Sequence, residues 1–177
     1  MQSILLSEVS NFKDINHHKY SCFDLDDSHF KENSERTIFF GNAVGDIHLL
    51  KISDRQVQKK LKAENLSLEN KHSGGITCLK VINFDKKSGF GSNILASGSS
   101  DRCIKLWAIS ENIFIQKLFG HDGTVSSIID GFNGTILSCS IDGCFKMWSP
   151  GKGRSILFKY PFYECTYSYR SLFYHQT

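Results

Sequence analysis

Proline is almost missing from this chain, with two residues in 177. That excludes a proline-rich linker. Charge of one sign is also lacking: 21 basic against 18 acidic residues leave a net charge of +3. So small an excess does not by itself argue for nucleic acid. No apolar run approaches the length of a membrane span, so no span is expected. The first residues, MQSILLSEVSNF, hold neither a basic stretch nor a long apolar one, and no secretory signal is read there. The six cysteines (Cys22, Cys78, Cys103, Cys139, Cys144 and Cys165) form no CxxC pair, and no Cys/His set has zinc-finger spacing. His17, His18, His29, His48 and His175 have no ligand spacing such as HExxH. No metal and no cofactor are therefore expected. The cysteines read as core residues of a reducing, intracellular compartment, cytoplasmic with the nucleus left open.

What is present is globular. Hydrophobic residues make up 40% and charged residues 22%, in a length that suits one ordinary domain. ILASGSSDRCIKLW, residues 94–107, recurs without a gap as TILSCSIDGCFKMW, residues 135–148. Asp101 falls on Asp142, Cys103 on Cys144, Lys105 on Lys146 and Trp107 on Trp148, at a period of 148 − 107 = 41. A fixed period in the forties points to a repeat architecture. Within one period, ILASGS reads as a strand, SDR as a tight turn, and CIKLWAI as a second strand with Lys105 on its polar side. NIFIQKLFG reads as a third, outer strand, and Val125 and Ile128 fall on a fourth. Four short strands per period, separated by turns, suggest one blade of a propeller.

Upstream, HSGGITCLKVI matches HDGTVSSIIDG, with His72 on His121 and Ile76 on Val125. IFFGNAVGDIHLLKI matches ILASGSSDRCIKLWAI after one deletion, with Gly41 on Gly98 and Leu50 on Trp107, and SCFDL is that unit's first strand. The extra length falls in KKLKAENLSLENKH, a longer loop or short helix, and in FDKKSGFGSN, a hairpin tip; loop tips tolerate insertions. After Trp148, SPGKGR is a turn and SILFKYPF an outer strand. The expected organisation is an N-terminal strand or extension at 1–14, a degenerate blade at 15–62, a blade with loop insertions at 63–118, a blade at 119–160, and a partial blade or tail at 161–177.

Gly120-His121, Ser138, Asp142 and Trp148, with His72, Ser97, Asp101 and Trp107 one repeat earlier, resemble the WD-repeat family. The resemblance implies an all-β fold of four-stranded antiparallel propeller blades, about three here plus part of a fourth. It also implies that each His–Ser–Asp–Trp set forms a hydrogen-bonded relay inside its blade. A buried carboxylate, imidazole and indole N–H all need partners, and a closed relay supplies them. This chain departs from the family pattern at Trp107-Ala108, at Trp148-Ser149 and at Lys71, which stands where Gly precedes the His elsewhere. Phe40, Val44 and Leu50 occupy the relay positions of the first repeat, so apolar packing alone is expected to hold that repeat.

His, Ser and Asp are also the residue types of a catalytic triad. The set occurs twice at one spacing, each time with its own Trp, which favours a structural role; no enzyme is expected. SPGKGR lacks the Gly at position 146 that a P-loop needs, and a lone G-x-G in GFGSN is no nucleotide fingerprint. The arginine pair of phosphoinositide-binding members and the Trp-Asp-x-Arg signature of ubiquitin-ligase adaptors are absent. The expected function is a non-catalytic protein–protein interaction scaffold. Its contact positions sit beside the relay residues: Ser100, Arg102, Asp122, Thr124 and Ile141, the last either a partner contact or packed on a neighbouring blade. The alternative is single-stranded nucleic acid or RNA bound by the aromatic and basic run KYPFYECTYSYR. Three blades do not close a ring. The chain is expected to be a fragment of a longer propeller, with completion by a partner or a second copy, or hidden strands in the flanks, as the other readings.

Overall fold

The computed structural model describes residues 20–26, 35–53, 70–83, 93–111, 113–150 and 154–158. The extension at 1–14, the segment 161–177, the run KYPFYECTYSYR, and most of the two inserted loops lie outside the described residues.

Among the described residues, eleven strands form three antiparallel sheets. The first holds β1 (Tyr20–Asp26), β2 (Glu35–Asn42) and β3 (Ile47–Ser53). The second holds β4 (Ile76–Ile82), β5 (Ile94–Ser99), β6 (Ile104–Ala108) and β7 (Ile113–Leu118). The third holds β8 (Val125–Asp130), β9 (Ile136–Ser140), β10 (Phe145–Ser149) and β11 (Arg154–Phe158). Each sheet is a meander in chain order. Val125–Asp130 thus opens the third sheet, paired to β9, and does not close the second.

The sheets stack face to face through their inner strands, β1 on β4 and β4 on β8. Two apolar layers result. Phe39 and Ile47 of the first sheet meet Ile76, Leu79, Val81, Leu95 and Trp107 of the second. Ile82, Ile94, Ala96, Ile104, Leu106 and Leu118 of the second meet Val125, Ile128, Ile136 and Trp148 of the third. Fully burying one such aliphatic side chain contributes about 1.5–3 kcal/mol, so these layers dominate the cohesion between sheets. β5 and β6 are buried along their whole length because they lie between two neighbours. Alternation puts Lys105 on the polar side of its strand; the structure buries it, as it does the equivalent Lys146 of the third sheet.

Close approach between sheets has a specific cause. A Cβ added at Gly41 would lie 2.5 Å from Ile76 Cγ2, and one at Gly98 would lie 2.7 Å from Val125 Cγ1. In both places the first residue of the next inner strand seats its branched side chain over a bare glycine. Among the described residues the sheets do not close into a ring. On β1, Phe23 is 71% exposed, whereas its counterparts Leu79 and Ile128 are buried against a preceding sheet.

Candidate functional site: two braced turns and the rim they carry

The β5–β6 and β9–β10 turns are built alike. In the second sheet, His72 Nδ1–H donates to Asp101 Oδ2 at 2.8 Å, His72 Nε2 lies 2.8 Å from Ser97 Oγ, and Trp107 Nε1–H donates to Ser97 Oγ at 2.9 Å. The third sheet repeats this: His121 Nδ1 to Asp142 Oδ2 at 3.0 Å, His121 Nε2 to Ser138 Oγ at 2.8 Å, and Trp148 Nε1 to Ser138 Oγ at 2.8 Å. A neutral imidazole protonated on Nδ1 satisfies every partner in the third sheet: the serine hydroxyl donates to Nε2 and accepts from the indole. The eight predicted residues are thus brought together in two sets of four.

Each aspartate also holds its own turn. Asp101 accepts from the N–H groups of Ser73 and Cys103, and Asp142 from those of Asp122 and Cys144. Burial would raise the Asp101 carboxyl, but the His72 hydrogen bond and charge, with the Cys103 and Ser73 N–H groups, outweigh it and hold it at about 2. Burial likewise acts to raise Asp142, and the N–H groups of Asp122 and Cys144, then His121, bring it to about 2. Burial pushes His121 below its ordinary value, against the pull of Asp142.

Two lysines add a support that the repeat alignment superimposed without assigning a role. Lys105 Nζ donates to the carbonyls of Asn70 and Lys71, both at 2.6 Å, and Lys146 Nζ donates to the carbonyl of Gly120. Each lysine therefore pins the segment that delivers the histidine. The signal was their alignment in the repeat.

The first sheet corrects the expectation of apolar packing alone. Asn42, fully buried, accepts from the N–H groups of Val44 at 3.0 Å and Asp46 at 2.8 Å through Oδ1, and donates from Nδ2 to Asp46 Oδ2 at 3.0 Å. In the second sheet the corresponding bonds are shared between Ser99 Oγ, which accepts from Asp101 N–H, and Asp101 Oδ1, which accepts from Cys103 N–H. One amide replaces two side chains. Lys71 then reaches across to Asp46 at 2.7 Å, joining the histidine segment of the second sheet to the turn of the first. Burial acts to raise the Asp46 carboxyl, but the Lys71 and Asn42 contacts prevail and lower it. Phe40, at the serine position, packs with Tyr20, ring centroids 5.3 Å apart.

The rim residues lie on these turns. Ser100, Arg102, Asp122 and Ile141 are exposed and Thr124 is half-buried. Ile141 is 73% exposed among the described residues, which hold no sheet after the third. Val44 in the first turn is 59% exposed. Arg102 has φ 67, where Gly45 (φ 88) and Gly143 (φ 73) occupy the same turn position in the other sheets.

Set beside known proteins, the chain matches the model of the WD domain, G-beta repeat, over residues 65–108 and 112–149. These segments are WD40 repeats. The chain is 33% identical over 87 residues to Mitochondrial division protein 1 of Eremothecium gossypii, covering 49% of this chain and 11% of that protein. It is 30% identical over 101 residues to Nuclear distribution protein PAC1 of Komagataella phaffii, covering 51% of this chain and 20% of that one. Among solved structures, the RRP9 WD40 repeats superpose with a TM-score of 0.59 at 18% identity, over 78% of this chain and 38% of that chain. At that identity the likeness concerns the fold. The chain spans a fifth or less of the length of these two curated relatives.

Proposed function

We propose that this WD40-repeat chain is a non-catalytic scaffold that binds other proteins through the turn-bearing rim. The observation that carries the reading is the pair of unusual residues there. Ile141 holds a large apolar side chain out in solvent on a braced turn. Arg102 keeps a side chain at a left-handed position where its counterparts are glycine, a conformation that costs a non-glycine residue about 1 kcal/mol. Neither contributes to the apolar layers, and both suit the anchors of a protein interface. Asp122, Ser100 and Thr124 supply polar contacts around them.

The His–Ser–Asp sets support this reading over an enzymatic one. Ser97 and Ser138 are buried, and each hydroxyl already serves an indole N–H, so neither oxygen is placed to meet a substrate. Cross-linking pull-downs with Ile141→Asp and Arg102→Glu test the proposal. Loss of the same partners by both variants, with unchanged melting, is the expected result. Full retention of partners by both would refute rim binding.

A further inference from the structure

The two junctions between described sheets are built alike. Ser21 Oγ on β1 donates to the carbonyl of Ile76, the first residue of β4, and Thr77 Oγ1 on β4 donates to the carbonyl of Val125, the first residue of β8. Each inner strand thus clips the backbone of the next. Ser126 holds the same place on β8, one residue after the strand begins. Its hydroxyl is buried and has no hydrogen-bond partner among the described residues. A buried hydroxyl without a partner is costly, so this end of the stack is shaped for the start of another inner strand.

The outer faces at the two ends are apolar. On the first sheet Phe23 and Leu25 are exposed, with half-buried Phe40 and Ile38 directly across from them on β2. The same face of the second sheet, carrying Leu79, Val81 and Leu95, is buried against the first. On the third sheet Leu137, Phe145 and Met147 are half-buried. Their counterparts Ala96, Ile104 and Leu106 are buried against the third sheet. Each end therefore shows one half of a junction that the chain already builds twice.

We infer that a second copy of this chain covers both faces: the third sheet of each copy packs on the first sheet of the other, and Ser126 clips the carbonyl of Tyr20 of the second copy. Within one copy the second sheet lies between these faces. Two copies of three sheets give a ring of six, inside the range of about four to eight for closed propellers. A head-to-tail contact that closes in this way leaves neither end bare.

The side chains across the new junction match in kind. At the first junction Asp24 accepts from the Val81 N–H at 2.6 Å and pairs with Lys80 at 3.4 Å. At the second, burial raises the Asp130 carboxyl and the charge of Lys80 opposes it. Ile129 on the third sheet stands at the place of Asp24 and Lys80, and Leu25 on the first at the place of Val81 and Asp130. Polar groups meet inside the chain, and apolar side chains meet where two copies join. One position differs in size: Cys139 stands where Gly41 and Gly98 lie beneath Ile76 and Val125. Tyr20, which a second copy brings there, has no branch at Cβ, and its ring rests on Phe40 and His48 of its own sheet, centroids 5.3 and 5.6 Å away. A Cβ built at Gly41 lies 2.7 Å from Ile76 Cβ, so an opening of about 1 Å gives the Cys139 side chain ordinary carbon contact.

Analytical ultracentrifugation of the 177-residue chain over a concentration series tests the inference. The expected species is a dimer of twice the 20.1 kDa chain mass, with no larger polymer. Phe23→Asp on one face and Ile129→Asp on the other should each weaken association roughly a hundredfold, because each buries an unpaired carboxylate. Mixing the two variants should restore a heterodimer through the one junction left intact. Ser126→Ala should weaken the dimer by about three- to tenfold. Circular dichroism checks that the variants keep their sheets, and Leu25→Lys and Met147→Lys repeat the test at second positions on the same faces. A chain that stays monomeric at every concentration overturns the proposal, as does a dimer that survives both aspartate variants. Loss with only one of them overturns it too, since it assigns the contact to two like faces. A mixture that stays monomeric overturns the head-to-tail pairing, and an open polymer overturns the closed ring.

Discussion

The first turn and its two counterparts solve one problem by different means. All must satisfy backbone N–H groups in a tight turn close to buried strands. The second and third sheets use an aspartate that also bonds a histidine, which continues through a serine to a tryptophan, so the turn is tied to the body of its sheet. In the first sheet Asn42 closes the turn on itself, and the tie to the body is replaced by aromatic packing of Phe40 and by Lys71 from the neighbouring sheet. A relay fixes a turn from within its own sheet. The amide arrangement borrows an outside hand, and the first turn depends on the second sheet more than the reverse.

The strongest way to break this contrast is Asp101→Ala. It leaves the His72 ring and the N–H groups of Ser73 and Cys103 without their acceptor, and about 3 kcal/mol of stability should be lost in urea titration. Val44→Ala, the matching position of the first turn, should change less than about 0.5 kcal/mol. Equal effects would erase the distinction.

Asn42→Ala comes next. Two N–H groups lose their acceptor, and a loss of about 2 kcal/mol is expected, partly restored in Asn42→Ser, which can accept only one bond well. If Asn42→Ala matches wild type in urea titration, the amide is not what closes the turn.

Acid should dissolve the relays in order. His121 lies below its ordinary 6.5 in the fold, so its contribution is complete above that pH and declines below it. Asp101 and Asp142, at about 2, contribute fully above their ordinary range near 4 and lose that contribution as pH falls toward 2. Melting temperature followed from pH 7 to 2 should fall in two stages, and Asp142→Asn should flatten the lower one. Parallel curves for the two proteins would show that Asp142 adds nothing there.

Arg102→Gly has the smallest expected effect. It relieves the left-handed strain but frees the unfolded chain, so stability should rise by about 0.5 kcal/mol or less. A clear loss would mean that the Arg102 side chain makes contacts the fold needs.

Which parts were legible in the sequence follows from the same contrast. The relay residues recur at a fixed period, so two copies pointed to one another, and the structure places them within hydrogen-bond distance. Asn42 was not legible because it merges the work of Ser99 and Asp101 in one side chain, and no second copy exists to align. Lys105 misled because polar residues on an alternating strand are normally outward; here it and Lys146 are buried with their ammonium groups on backbone carbonyls. The inner-strand hydroxyls gave no signal, since Ser and Thr are ordinary in strands until their backbone acceptors are seen.

The bridge from Lys71 to Asp46 reaches one neighbour and stops there. Stability in this chain is then a line of adjoining units, each answerable to the next, rather than a single whole. Under force or mild denaturant it should fray from the first sheet, leaving the two self-braced ones standing as a shorter and still cooperative remnant.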